Sequence, residues 1–388
     1  MGAVKVLTVF GTRAEANKMI PLVLALQERA QSGNANPVDS LQVVSHVCVT
    51  AQHRELLDQS LAPFGVVPDV DLNIMTAGQN QGDVTGRILA RLAPVLEEYK
   101  PDIVLVHGDT TTTFAAALAA FHAKVAVGHV EAGLRTYDKF RPYPEEMNRK
   151  LTTALADLHF APTALAREYL LKENVPADRI FVTGNTAVDM LAHTTKENYK
   201  LENTAADAFA TGDRVILMTV HRRENFGAPM DAICRAVARI ATDFPTVRII
   251  WPMHPNGAGK VESQAHLAHL PNVLLTQATN LQDTHNLMKR SYLILSDSGG
   301  IQEEAPSFNV PVVVLRETTE RPEGLTVGTL VLAGVAEENI YNESARLLTD
   351  ASAHKKMATV ANPFGDGAAS ERIVDAVVGY FGKALREG

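Results

Sequence analysis

The stretch Ser296-Asp297-Ser298-Gly299-Gly300-Ile301-Gln302-Glu303-Glu304 sets small residues, a glycine pair and carboxylates directly after the apolar run Tyr292-Leu293-Ile294-Leu295. The run reads as a buried parallel strand and the residues beyond it as a helix, so Ser298, Gly299 and Gly300 fall at a strand-to-helix turn. Unpaired N–H groups and the positive end of the helix dipole favour an anion there, and glycines let a phosphate approach the backbone. Glu304, about one turn further on, can accept hydrogen bonds from a ribose diol. A diphosphate and a ribose together describe a nucleotide. An ordinary tight loop with a capping Ser or Asp produces the same pattern.

Other reactive residues occupy comparable places. Gly11-Thr12-Arg13 follows the first apolar run, so Arg13 and the turn amides could hold a phosphate, with Lys18 in the helix beyond; a structural turn is the alternative. Asp109 and Glu131 close successive strand candidates, in His107-Gly108-Asp109-Thr110 and His129-Val130-Glu131-Ala132-Gly133, and Glu145 and Glu146 follow Arg135. Any one of them could cap a helix or pair with an arginine. Several carboxylates crowded at strand ends suit proton transfer near neutral pH, because like charges raise some of their pKa values. His221-Arg222-Arg223 ends the first strand candidate of the second half and can supply charge-assisted donors to a diphosphate. His254 stands at a similar position after the next strand, as a ligand or a cap. The stretch 316–323 reads as a surface ion-pair loop. Metal binding is the weaker option, since the sequence has no cysteine cluster and no His-Glu-x-x-His motif.

Short apolar runs alternate with segments of helical period throughout, the pattern of a doubly wound α/β protein. Strand candidates are 4–9, 43–50, 103–106, 125–130, 159–161 and 180–183, then 215–219, 247–251, 273–276, 293–295 and 310–315. Polar residues gather at their carboxyl ends, where open α/β sheets bind ligands. A length of 388 residues exceeds what one core usually supports. Two Rossmann-like domains facing across a cleft are therefore expected, with the crossover near the polar segment 194–213. Residues 370–385 read as an amphipathic helix. Hydrophobic content of 46% and charged content of 21% are ordinary for a globular chain, and a net charge of −8 argues against nucleic acid as partner. Cys48 and Cys234 read as buried free thiols, which fits the reducing cytoplasm. No signal-peptide pattern opens the chain and no apolar run reaches a membrane span.

Taken together, the motifs resemble the non-hydrolysing UDP-N-acetylglucosamine 2-epimerases. The resemblance runs through 4–13, 49–54, 107–113, 129–136, 144–149, 183–186, 221–225, 297–306, 318–323 and 362–367, almost the whole chain. It implies a glycosyltransferase-B-like fold, an N-terminal domain of 1–185 completed by a final helix at about 372–388, and a UDP-binding domain of 186–371. It also implies chemistry without cofactor or metal: loss of the C2 proton and of UDP from C1 gives a 2-acetamidoglucal, to which UDP re-adds. By motif match, Asp109, Glu131 and Glu145 are acid/base candidates, and His221 stabilises or protonates the departing phosphate. Arg13, Lys18, His254, Ser298, Gly299, Gly300 and Arg321 would hold the substrate's UDP, with Glu304 on the ribose. Gln52, Glu146 and His254 match a second, activating nucleotide-sugar site found in some members, whereas Gly78 stands where regulated members carry arginine. Ala14, Asn17, Tyr137, Arg141 and Thr284 also depart from the family's usual residues. The family implies a homodimer and a UDP-sugar as partner. A transferase of the same fold and a hydrolysing relative are the alternatives.

Overall fold

The computed structural model describes residues 2–31, 41–50, 54–76, 78–212, 214–253 and 260–387, so Gln52 and His254 lie outside the described residues. The first sheet is built from β1 (Ala3–Phe10), β2 (Gln42–Val49), β3 (Val70–Asp71), β4 (Ile103–His107), β5 (Ala126–Val130), β6 (Leu158–Ala161) and β7 (Ile180–Val182), in the order β3-β2-β1-β4-β5-β6-β7. The second uses β8 (Val215–Thr219), β9 (Arg248–Met253), β10 (Val273–Gln277), β11 (Leu293–Ser296), β12 (Val312–Val314) and β13 (Leu330–Leu332), in the order β10-β9-β8-β11-β12-β13. Every pairing is parallel. Helices cover both faces of such sheets, which is why β4 (Ile-Val-Leu-Val-His) is buried along its whole length and reads as a continuous apolar run. The short edge strands β3 and β13 were not expected from the sequence.

The chain divides into two compact units, Met1–His193 with Gly365–Gly388, and Thr194–Phe364. They are the two Rossmann-like halves of a glycosyltransferase-B-like fold. In the first, the helices Gln81–Tyr99 and Thr111–His122 pack Ile88, Leu92, Ala116 and Ala120 against Leu7, Val9, Val104 and Val106. In the second, Ile233, Val237 and Ile240 of the helix Ala228–Asp243 cover Ile216, Met218, Ile249 and Trp251. The last helix, Ala369–Glu387, returns to the first unit because Asp189 receives its opening amides, Ala369 N–H at 2.9 Å and Ser370 N–H at 3.1 Å. Burial raises the Asp189 pKa. No helix among the described residues is long and apolar enough to cross a membrane.

In each sheet the strand order reverses between the first strand and its neighbour on the other side, β1/β4 and β8/β11. Chains leaving such a pair diverge to opposite faces, opening a crevice at the carboxyl ends. The candidate residues cluster at these two places.

Candidate active site

Beside the first switch point, β4 pairs with β5, His107 standing opposite Val130. Asp109 and Glu131 therefore emerge on neighbouring strand ends. Glu131 adopts φ +59°, a left-handed turn uncommon for a side chain of this size. Its Oε2 forms an ion pair with Lys18 Nζ and accepts a 2.9 Å hydrogen bond from Asn185 Nδ2, while His107 Nε2 lies 3.5 Å away. Lys18 comes from the helix Arg13–Gln31, which follows β1. Asp109 is held differently: Arg149 approaches its Oδ2 with Nη2 at 2.6 Å and Nε at 2.9 Å, and Asn148 Nδ2 donates to its carbonyl at 2.9 Å.

Both partners of Asp109 belong to the helix Glu145–Leu155, which Glu145 opens. Its half-buried position at the helix N-terminus is favourable for a carboxylate. Glu146 is fully buried and accepts the amides of Thr136 and Tyr137, both at 3.0 Å, with Arg149 Nη1 at 3.4 Å. In the described structure Glu146 thus braces the loop ahead of Glu145.

Glu15 is a residue that sequence reasoning missed. Its carboxylate accepts the amides of Gly11 (3.1 Å) and Thr12 (2.8 Å) and the Thr110 hydroxyl (2.8 Å), and burial raises its pKa. The two amides expected to face a phosphate are thus satisfied from within the chain, and Arg13 is the exposed cation of that turn. The signal was present as Thr12-x-x-Glu15, a capping box, and Glu15 N–H indeed donates to Thr12 Oγ1 at 3.2 Å.

Below these ends, His129 and His159 face each other on β5 and β6. Burial lowers the His129 pKa to about 3 and the His159 pKa to about 4. His129 Nε2 hydrogen-bonds the Gly108 carbonyl at 2.7 Å, which steadies the turn carrying Asp109.

At the second switch point, Thr219 of β8 pairs with Ser296 of β11, and their hydroxyls meet at 2.7 Å. The next residue, Asp297, is fully buried and accepts the amides of His221 (3.0 Å) and Arg222 (2.8 Å) and Asn225 Nδ2 (2.9 Å). His221 Nδ1 lies 3.2 Å from Asp297 Oδ1. Ser298 precedes the helix Gly299–Glu304. A methyl placed on Gly299 would lie 3.6 Å from Arg321 Nη2 and 3.8 Å from Arg222 Nη2, so two guanidinium groups bound the space above this glycine. Six residues make a weak dipole, and the positive charge here comes chiefly from those side chains.

Arg321 is held by Glu303 through Nε, and its amide donates to Thr319 Oγ1 at 3.1 Å. Thr319 in turn donates to Gln302 Oε1 at 2.6 Å. The 316–323 stretch does form ion pairs, but its arginines are buried: Arg316 and Arg321 are 6% and 9% exposed and pair with Glu224 at 2.8 Å and with Glu303, while Glu317, Thr318 and Pro322 face solvent. Glu304 lies 3.5 Å from His285 Nε2, and the other ring nitrogen of His285 meets Thr194 Oγ1 at 2.6 Å. Carboxylates and their cations occupy the first unit; guanidinium groups, His221 and Glu304 occupy the second.

Comparison with known proteins identifies the family. Residues 39–378 match the profile of the UDP-N-acetylglucosamine 2-epimerase family. The chain is 50% identical over 382 residues to a UDP-N-acetylglucosamine 2-epimerase of Bacillus subtilis strain 168, covering 98% of this chain and 97% of the relative. It is 49% identical over 379 residues to the Escherichia coli K12 protein of the same name, covering 96% and 98%. The crystal structure of the UDP-N-acetylglucosamine 2-epimerase of Neisseria meningitidis bound to UDP-N-acetylglucosamine superimposes with a TM-score of 0.84 at 45% identity, covering 97% of this chain and 100% of that one. This chain belongs to the UDP-N-acetylglucosamine 2-epimerase family.

Proposed function

We propose that the protein interconverts UDP-N-acetylglucosamine and UDP-N-acetylmannosamine as a non-hydrolysing epimerase. One carboxylate takes the proton from C2 while the C1–O bond breaks, the electron pair leaves on the β-phosphate oxygen, and a C1=C2 double bond forms. UDP and 2-acetamidoglucal remain bound. A proton then arrives at the opposite face of C2 as the phosphate oxygen attacks C1. Asp109, Glu131 and Glu145 are the acid/base groups, and His221 assists the leaving phosphate. Arg13, Lys18, Arg321 and the Ser298-Gly299-Gly300 turn hold UDP, joined by Arg222, and Glu304 takes the ribose.

The observation that carries this reading is that Asp109 and Glu131, on adjacent strand ends, pair with different cations, Arg149 and Lys18. A transferase needs one base. Two separately held carboxylates suit proton removal and proton return. Glu146 and the tyrosine-bearing loop it braces are proposed as the nucleotide-sugar regulatory element, and a homodimer as the working form.

The test is a proton NMR time course with UDP-N-acetylglucosamine in D2O. UDP-N-acetylmannosamine carrying deuterium at C2 is the expected product. Unchanged substrate refutes the assignment, and accumulation of free N-acetylmannosamine with UDP identifies the hydrolysing type instead.

A further inference from the structure

We propose that Asp297 is a positioning residue for this reaction, fixing His221 in one tautomer and one orientation. Nδ1–H is turned to the Asp297 carboxylate, and Nε2 is presented to the departing β-phosphate oxygen. The inference rests on the reaction proposed above.

The geometry is unusual in what it concentrates on one side chain. Asp297 is fully buried at the end of β11, and every donor it accepts comes from the segment that follows β8: the amides of His221 and Arg222, and Asn225 Nδ2. Asn225 Nδ2 also donates to the Leu315 carbonyl at 3.1 Å, anchoring the group to the strand on the other side of β11. A buried carboxylate is tolerable when donors surround it in this way. The backbone N–H of His221 donates to this carboxylate at 3.0 Å, and the imidazole faces the same group with Nδ1 3.2 Å from Oδ1. Swinging the ring away gives up Nδ1 while the main chain stays fixed. Because Nε2 lies across the ring from Nδ1, this hold determines where Nε2 points, and the side chain remains 45% exposed.

The chemical consequence follows from the direction of charge flow. As the C1–O bond breaks, negative charge develops on the phosphate oxygen, and the imidazolium donates its Nε2 proton or a hydrogen bond to it. The Asp297 carboxylate beside Nδ1 stabilises the imidazolium. On re-addition the phosphate oxygen attacks C1 and the proton returns to Nε2. An amide in place of Asp297 removes the charge and sets an NH2 group among donors, favouring the wrong tautomer.

Turnover and UDP affinity are to be measured for wild type, Asp297→Asn, His221→Gln and the double variant. Asp297→Asn is expected to lower kcat on the order of a hundredfold while KM and the UDP Kd stay within about threefold. In the His221→Gln background the same change is expected to cost nothing further, because Asp297 acts through that ring. A second measurement requires no active variant: 15N-histidine NMR of the wild type with UDP. A downfield Nδ1–H resonance absent from His221→Gln is expected, a difference spectrum being needed because the chain has 13 histidines. Wild-type turnover in Asp297→Asn, losses that multiply in the double variant, or no such resonance in the wild type overturns the proposal. A wild type that shows the resonance but does not epimerise refutes the reaction while the positioning role stands.

Discussion

Acidification should weaken the first unit from inside its sheet, and the size of the effect follows from two side chains. His129 and His159 are buried partners on β5 and β6, with pKa values lowered to about 3 and about 4 from the ordinary 6.5, chiefly because burial penalises the imidazolium. Both folded pKa values lie below the unfolded one, so the unfolded chain binds more protons. The stability contributed by the neutral rings is complete above about pH 6.5 and is lost as pH falls toward the folded values. Between about pH 7.5 and about pH 5 each histidine traverses roughly 1.5 pH units of that window, so at about 1.4 kcal/mol per unit each loses about 2 kcal/mol and the pair about 4. That is a large part of a typical folding free energy of about 5–15 kcal/mol. The consequence reaches the site, since β5 runs directly into Glu131 and His129 holds the Gly108 carbonyl beside Asp109. Urea unfolding followed by circular dichroism at about pH 7.5, 6 and 5 measures it, with His129→Gln as comparison because glutamine keeps a donor for Gly108 and does not titrate. The variant is less stable at the highest pH, and its deficit should shrink by about 2 kcal/mol at the lowest. Parallel loss of stability in both proteins refutes the assignment of the acid sensitivity to the buried ring.

Three further outcomes follow from named contacts. Asp109→Asn and Glu131→Gln should each lower turnover about a hundredfold or more while leaving UDP binding, read by calorimetry, nearly unchanged; near-normal activity in both removes them from the proton transfers. Gly299→Ala adds a methyl at ordinary contact distance from Arg321 and Arg222 (3.6 and 3.8 Å), so the melting temperature should hold while UDP affinity falls about tenfold or more. Unchanged affinity places the diphosphate elsewhere. Asp189→Ala leaves the first two amides of the helix Ala369–Glu387 without their buried acceptor, and should destabilise the first unit by about 1–3 kcal/mol and speed amide exchange in that helix. Exchange at the wild-type rate means that the helix is docked by its apolar face alone.

How far the chain could be read in advance depended on whether a feature is local. Strands such as β4 and β11 are legible because a parallel strand buried on both faces must be apolar at every position. β3 has two residues and β13 three, both at sheet edges, and so short a run has no period to detect. The capping box at Thr12 and Glu15 is local and was legible, yet the glycine before it drew attention to phosphate; which of the two claims the amides is decided by burial of Glu15 beneath Thr110, which comes from a segment 95 residues away. The same separation hides the other supporting groups. Arg149 lies 40 residues from Asp109, and Asp297 lies 76 residues from His221. A switch point brings together strands that are remote in sequence because a crossover helix must intervene, and therefore the groups proposed to touch substrate sit in recognisable local motifs while the groups that orient them are found only once the strand order is known. Asp297 illustrates the point: its place in Ser296-Asp297-Ser298-Gly299 reads as a helix cap, and only the pairing of β8 with β11 turns its carboxylate toward the histidine.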